Sequence, residues 1–214
     1  PHVIEPAATA RRVLVVGAGV GGLEAARVAA ERGHRVTVLE AMPWPGGQLR
    51  LAARNTRRRD LLGIVEWRVS ELERLGVDVR YDTFADADAI DALTPDVVII
   101  ATGGLPQNPP IEAGGDLLVD AWDVVGGDAR LTGDGVLCGD VGRRVEFVTP
   151  ERTMGVDVGG LNLVPYARAF NETDTRVTLN QRVRSISRDQ SGRLRVQIGS
   201  DHSPVRHDRL VDAV

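Results

Sequence analysis

The hydrophobic pattern of the first half of the chain predicts strands that alternate with helices. Residues 13–16 form an apolar run typical of a buried strand, and apolar residues at 23–32 recur at helical spacing. A second strand is predicted at Arg35–Leu39. Beyond it, the pattern predicts a helix at 60–75, a strand at 77–81 and a buried parallel strand at 96–101.

In the second half, the alternation of strands and helices is less regular. Strands are predicted at 144–149, 175–179, 183–187 and 194–198, with a helix at 161–170 and a turn at 190–192. The apolar run at 210–214 looks like one more strand. This order predicts an α/β fold, a Rossmann-like doubly wound sheet with right-handed crossovers.

One connection in the second half is too short for the unit that its strands suggest. Residues 135–138 and 144–149 look like successive strands, yet only residues 139–143 separate them. A parallel crossover needs about a dozen residues or more. Either the strands form an antiparallel hairpin, or about fifteen residues of loop and helix are missing. The second alternative is favoured, because residues 144–150 are typical of the ribose-side strand of a nucleotide-binding unit.

Both ends of the sequence look cut. The chain begins at Pro1 rather than at methionine, and it stops inside the apolar run at 210–214. We therefore expect it to be a piece of a longer polypeptide.

Three glycines follow the first predicted strand with G-x-G-x-x-G spacing, at Gly17, Gly19 and Gly22. In a dinucleotide-binding unit, the first permits the tight turn, the second lets backbone approach a pyrophosphate, and the third lets the helix pack closely on the sheet. The start of the helix offers N–H groups and partial positive charge to phosphates. Glu40, directly after the second strand, is placed to accept hydrogen bonds from an adenosine ribose. The sequence thus predicts a nucleotide site rather than a glycine-rich turn that binds nothing.

Three further segments bear on this site. Residues 41–53 contain two prolines and the Gly46-Gly47 pair, so we expect a loop without helix or strand over the carboxyl edge of the sheet. Thr102-Gly103 either lies against the dinucleotide or forms an ordinary left-handed turn after a strand. The arginines at 57–59 either form a solvated loop or send one guanidinium to a cofactor phosphate.

Composition excludes several classes of protein. The single cysteine, Cys138, excludes an internal disulfide, a multi-cysteine zinc site and an iron–sulfur cluster held within this sequence. Lysine is absent, which removes a Walker-type phosphate site and Schiff-base chemistry. The net charge of −4 argues against a nucleic acid partner. No apolar run reaches about eighteen residues and no signal peptide is recognisable, so we expect no membrane partner and a cytoplasmic protein.

Together, the Gly17 to Glu40 fingerprint, the Gly46-Gly47-Gln48-Leu49 loop and the strand ending in Ala101-Thr102-Gly103 resemble a known family. They look like the carboxyl-terminal region of the flavin reductases related to trimethylamine dehydrogenase and 2,4-dienoyl-CoA reductase. The segment at 145–162 is similar to the second nucleotide domain of the branch that demethylates amines and betaines.

The resemblance implies contacts with FAD or, alternatively, ADP. The three fingerprint glycines would hold the pyrophosphate and Glu40 the ribose, while Gly47 and Gln48 would lie at the neighbouring phosphate or flavin side. The backbone around Phe84 would meet the adenine. The complete set of predicted cofactor-binding residues is Gly17, Ala18, Gly19, Val20, Gly22, Glu40, Ala41, Gly47, Gln48, Phe84, Ala101, Thr102 and Gly103. No catalytic residue and no metal ligand are predicted.

The resemblance also implies how the chain is organised and what accompanies it. We expect a linker tail at 1–11, an FAD/ADP-binding domain at 12–125 and an incomplete NAD(P)-type domain at 126–214. The partner would be an amino-terminal barrel with FMN and a 4Fe-4S cluster, in the same polypeptide or a separate subunit, and the assembly would be oligomeric. The glycine loop for NAD(P)H is not visible after Cys138, which leaves two functions open. FAD would relay electrons between NAD(P)H and the barrel of an oxidoreductase for methylated amines or enoyl-type substrates, or ADP would be bound as a purely structural element.

Overall fold

The computed structural model describes residues 3–107, 109–129, 144–156 and 159–214, with only the backbone described at 56, 57 and 160–162. The chain forms two compact units, Pro1–Leu105 and Pro106–Val214. The domain limits expected from the sequence stay a prediction.

The first unit is a four-stranded parallel sheet with helices on both faces. Its elements in chain order are β1 (Arg12–Val16), α1 (Val20–Glu31), β2 (Arg35–Leu39), α2 (Gln48–Ala52), a 3-10 helix (Thr56–Leu61), α3 (Leu62–Arg74), β3 (Asp78–Arg80), α4 (Ala87–Leu93) and β4 (Val97–Ile100). The strand order is β3-β2-β1-β4, and all three pairings are parallel. The predicted Rossmann-like α/β class is confirmed.

Alternating side chains of the buried strands supply both faces of the core. Val13 and Val15 of β1 pack with Leu23 and Ala26 of α1 on one face. On the other face, Leu14, Val16 and Leu39 pack against residues of α4 and the loop before it. Each fully buried Leu or Val contributes about 1.5 to 3 kcal/mol. This burial holds the carboxyl ends of β1, β2 and β4 at one edge of the sheet.

Helices α1 and α3 are joined by a network of half-buried charges. Arg27 pairs with Glu24 at 2.7 Å and with Glu31 at 2.7 Å, and Arg68 of α3 pairs with Glu24 at 2.9 Å. The guanidinium of Arg27 also lies 5.5 Å from the centre of the Trp67 ring. Hydrogen bonding to Arg27 is the first of the causes that lower the pKa of Glu24.

The second unit combines a parallel and an antiparallel sheet. Its elements are a 3-10 helix (Gly115–Leu117), α5 (Ala121–Gly126), β5 (Val145–Val148), α6 (Gly160–Glu172), β6 (Thr175–Thr178), β7 (Arg182–Arg188), β8 (Leu194–Gly199) and β9 (Arg206–Val211). β5 and β6 are parallel, whereas β7, β8 and β9 form an antiparallel sheet. Its core contains Ile186, Leu194, Val196 and Ile198.

Several sequence predictions about elements are wrong in detail. Residues 48–52 form the short helix α2 where a loop was expected, because Leu49 packs against the core of the first unit. The helix expected at 60–75 is a 3-10 turn followed by α3. The last strand, β9, begins at Arg206 and ends at Val211, so residues 212–214 of the expected strand lie outside it. The first residues of β9 are polar, and the apolar pattern therefore did not predict them. The sequence prediction did not include α4 and α5.

The expected strand at 135–138 and the short connection at 139–143 lie outside the described residues. The choice between a hairpin and missing residues therefore stays a prediction. Within the described ranges, no helix is long and apolar enough to span a membrane.

Candidate functional site

Three loops meet at the carboxyl edge of the parallel sheet in the first unit. We call residues 17–22 the glycine loop, residues 46–48 the GGQ loop, and residues 101–104 the ATGG turn. They follow β1, β2 and β4 respectively, and parallel strands bring their carboxyl ends to one edge. This is where ligands bind in open α/β sheets.

The three fingerprint glycines meet different surroundings. Gly17 has φ +104°, and a Cβ there would lie 2.5 Å from the carbonyl oxygen of Ala101. A Cβ on Gly22 would overlap the carbonyl oxygen of Gly17. At Gly19, in contrast, no described atom lies within 4 Å of where a Cβ would stand. Gly17 and Gly22 thus permit close packing of the backbone, whereas Gly19 leaves open space in front of the helix.

Helix α1 begins in that open space. Gly19 is its N-cap residue and makes no side-chain cap hydrogen bond, and the first turn carries no acidic residue. The positive end of the helix dipole is therefore not offset by a carboxylate of its own first turn. Such a helix start favours a phosphate or another anion. Val20, the first residue of α1, is half-buried beside it.

The Glu40 carboxylate lies behind the glycine loop and is only 9% exposed. Its Oε2 accepts a hydrogen bond from the N–H of Ala18 at 2.6 Å, and its Oε1 accepts one from the N–H of Met42 at 2.9 Å. Each carboxylate oxygen can accept a second hydrogen bond. The side chain expected to meet a ribose therefore also orients the backbone of the glycine loop.

The GGQ loop lies directly against the glycine loop. The N–H of Gly46 donates to the carbonyl oxygen of Ala18 at 2.8 Å, and Gly19 and Gly46 form a parallel β-bridge. Gly47 has φ +50°, and a Cβ there would be 3.3 Å from the Cα of Gly19. Ala18 is fully buried, and both of its backbone polar groups bond to protein.

The ATGG turn borders the glycine loop on its other side. The N–H of Ala101 donates to the carbonyl oxygen of Val16 at 2.8 Å. Gly103 has φ +73°, so the turn is left-handed, while Thr102 and Gly103 are both exposed. The Gln48 side chain spans the GGQ loop and this turn, because its Nε2 donates to the carbonyl oxygen of Gly104 at 2.7 Å.

The segments after β2 and β3 lie beside Glu40. The carbonyl oxygen of Glu40 accepts from the N–H of Thr83 at 2.9 Å, which brings the segment of Phe84, after β3, next to the site. The Phe84 ring is 77% exposed, and Ala41 is exposed as well. Burial raises the pKa of Tyr81 at the end of β3, and the charges of Glu73 and Glu40 raise it further.

The structure brings most of the predicted residues together and adds three that the sequence prediction left out. Met42 and Gly46 supply backbone N–H groups, and Gly104 supplies a carbonyl oxygen. The Gly46-Gly47 pair was a visible signal for Gly46, whereas nothing in the sequence singled out the other two. Arg58 and Arg59 are exposed in the 3-10 helix Thr56–Leu61. In the part of the chain that the structure describes, no group of three or more His, Cys, Asp or Glu side chains is arranged to hold a metal ion.

Comparison with known proteins places this geometry among nucleotide-dependent oxidoreductases. Residues 11–132 match the family model described as pyridine nucleotide-disulphide oxidoreductase. The chain is 43% identical to the probable N-methylproline demethylase of Rhizobium meliloti (strain 1021), with 100% of this chain and 34% of the relative covered. It is 37% identical to the N,N-dimethylglycine/sarcosine dehydrogenase of Chromohalobacter salexigens, with the same coverage.

The chain is also similar to a solved structure. The 2-naphthoyl-CoA reductase superimposes with a TM-score of 0.83 at 30% identity, covering 99% of this chain and 33% of that protein. The chain therefore spans about a third of the length of the relatives it matches.

Proposed function

Because the chain belongs to the pyridine nucleotide-disulphide oxidoreductase family, we propose that it is the cofactor-binding and electron-transfer portion of a flavin-dependent oxidoreductase. The resemblance to the flavin reductases related to trimethylamine dehydrogenase and 2,4-dienoyl-CoA reductase is confirmed by the demethylase, dehydrogenase and CoA-reductase relatives. The chain holds one cysteine, so a redox-active cysteine pair of its own has no part in this proposal.

The observation that carries the proposal is the open backbone at Gly19 between Glu40 and the start of α1. A pyrophosphate there would meet N–H groups at the positive end of the helix, with no Cβ in the way. The Glu40 carboxylate, held by Ala18 and Met42, retains acceptor capacity for the hydroxyls of an adenosine ribose. These residues fit the adenosine diphosphate portion that FAD and ADP share.

The other two loops favour FAD over a free nicotinamide cofactor. A simple dinucleotide site needs only the glycine loop and Glu40, but here the GGQ loop and the ATGG turn also border Gly19 or its neighbours. Their exposed glycines, Gly47 and Gly103, would let backbone approach the rest of a longer cofactor. When bound, FAD would supply the hydride and electron chemistry. The residues of this chain would bind and orient it, and none is assigned as an acid or base.

The names of the relatives support a substrate class, and the family resemblance supports a partner domain. The two sequence relatives are named for methylated amines and the structural relative for a CoA thioester, so we propose methylated amines or enoyl-type compounds as substrates. The substrate would bind in the remaining two-thirds of the protein, in a barrel with FMN and a 4Fe-4S cluster. This chain would pass electrons to or from that barrel in an oligomeric assembly.

One observation supports a second candidate function, that of a structural ADP-binding module. NAD(P)H would bind the second unit, but only residues 139–143 separate two segments that a nucleotide crossover would have to join. If the second unit takes no NAD(P)H, electrons have no route in through this chain, and the first unit would hold ADP without redox change.

One experiment separates the two candidates. The protein would be purified without added cofactor, and its absorbance and the nucleotide released on denaturation would be measured. Release of FAD, distinguished from FMN by chromatography, together with a band at about 450 nm is the result expected here. Release of ADP without FAD would replace the redox proposal with the structural one.

A further inference from the structure

Gln48 joins the GGQ loop and the ATGG turn through its side chain. It is the first residue of α2, directly after Gly47, whose φ is +50°. Its Nε2 donates to the carbonyl oxygen of Gly104 at 2.7 Å, across 56 residues of sequence. The carboxamide is thus already engaged by protein in the geometry that leaves Gly19 open.

This hydrogen bond completes a ring of contacts around the glycine loop. The GGQ loop is tied to the glycine loop by the Gly46 N–H and the Ala18 carbonyl oxygen, 2.8 Å apart. The ATGG turn is tied to the end of β1 by the Ala101 N–H and the Val16 carbonyl oxygen, also 2.8 Å apart. Gln48 then links the GGQ loop to the ATGG turn.

The three links differ in how they are held. The second joins backbone groups at the ends of the neighbouring strands β1 and β4, and the first belongs to the bridge between Gly19 and Gly46, so neither depends on a side chain. The third depends on one exposed side chain and on a turn whose residues 102–104 are all exposed. It is the link that a substitution can remove while the sheet stays intact.

We propose that Gln48 is a positioning residue that holds the ATGG turn against the GGQ loop and so keeps both beside the nucleotide. This inference rests on the proposed nucleotide site. It assigns to Gln48 a hydrogen bond to Gly104 in place of the phosphate or flavin contact that the resemblance implied. Losing one neutral hydrogen bond of this kind should weaken nucleotide binding by about 2- to 12-fold.

Two variants of the full chain separate the donor from the bulk of the side chain. Gln48→Met keeps the length but removes the donor, and Gln48→Glu replaces the donor with a carboxylate that faces the Gly104 carbonyl oxygen. The dissociation constant for ADP, the portion that both cofactor candidates share, would be measured by calorimetry on nucleotide-free protein. Gln190→Glu, at an exposed glutamine in the turn between β7 and β8, is the matched control.

The pH dependence tests the mechanism. At about pH 7.5 both Gln48 variants should bind ADP more weakly than the unsubstituted protein, whereas Gln190→Glu should match it. Towards about pH 5, the carboxylate introduced by Gln48→Glu becomes partly protonated and can donate to Gly104, so this variant should recover relative to Gln48→Met. A role in packing alone would show no such recovery.

Three results would overturn the inference, and they are distinguishable. If the unsubstituted protein binds ADP and both variants bind it within about 1.5-fold, Gln48 positions nothing. The same holds if Gln48→Glu and Gln48→Met respond identically to pH. If the unsubstituted, folded protein binds neither ADP nor FAD, the proposed function is wrong, and this inference, which rests on it, is wrong as well.

Discussion

The Glu40 carboxylate and the backbone N–H of Ala18 are joined by a hydrogen bond of 2.6 Å, although 22 residues separate them in the chain. The acid at the end of β2 therefore supports the loop at the end of β1, in addition to the ribose contact we propose for it. Structure and binding at this site depend on the same side chain.

Replacing Glu40 with alanine should weaken both ADP binding and folding. The variant would lose the proposed charge-assisted hydrogen bond to the ribose, of order 1.5 to 3 kcal/mol, and leaves the buried N–H of Ala18 without its acceptor. Titration calorimetry with ADP and urea unfolding measure the two effects separately. Glu66→Ala, at an exposed glutamate of α3, is the control for removing a carboxylate. An unchanged dissociation constant for ADP would remove Glu40 from the nucleotide site.

Alanine at Gly19 and at Gly22 should have opposite consequences. Gly19→Ala adds a methyl group in open space at φ −66°, so we expect folding to change by no more than about 1 kcal/mol while ADP affinity falls. Gly22→Ala places the methyl group on the Gly17 carbonyl oxygen and should destabilise the first unit by about 1 to 3 kcal/mol. Thermal unfolding together with ADP titration distinguishes them. Equal losses of stability in both variants would contradict the assignment of Gly19 to the ligand side.

Acid should weaken the contact between α1 and α3 through Glu24. Its pKa is lowered in the folded protein, first by the hydrogen bond from Arg27, so its contribution is present above the unfolded pKa and is lost as pH falls through the folded value. The Glu24→Gln variant should be less stable at neutral pH by about 0.5 to 1 kcal/mol and should lose less stability below about pH 4.5. Urea unfolding at a series of pH values measures this.

The Arg27→Met background supplies the control for that experiment. With its principal partner removed, Glu24→Gln should have a smaller further effect on the free energy of unfolding. Strict additivity of the two substitutions would show that the pair is not coupled.

Replacing Pro165 with alanine should stabilise the second unit. Pro165 lies inside α6, where it has no N–H to donate to the preceding turn. Alanine restores that hydrogen bond, so we expect a gain of about 1 to 3 kcal/mol, seen as a higher midpoint of thermal unfolding. A lower midpoint would mean that the proline ring contributes packing that alanine cannot replace.

Strong local patterns predicted most of the fold. The apolar run that became β4 and the helical spacing that became α1 needed no tertiary information. The missed helices α4 and α5 had a readable signal, because Asp86 and Asp120 each cap the following helix by accepting a backbone N–H. β9 was obscured because half of its side chains are polar and exposed.

The candidate site was predictable in its residues but not in its internal connections. The spacing of Gly17, Gly19, Gly22 and Glu40 pointed to the carboxyl edge of the sheet, where the structure places these residues. That Glu40 would bond to Ala18, or Gln48 to Gly104, depends on the path of turns with positive φ at Gly17, Gly47 and Gly103. Such paths arise from tertiary packing, which the order of residues does not display.

The backbone character of these loops predicts what a mutational scan of the chain would find. A scan that replaces polar side chains with alanine would detect Glu40 and Gln48 and would pass over most of the site, since the remaining links join N–H and carbonyl groups. A scan that replaces glycines with alanine would reveal the rest, at positions 17, 22 and 47. There the added methyl group would strain the backbone or clash with it, and no reactive group would be removed. Natural sequences should show the same distribution, with these glycines conserved and the residues between them variable.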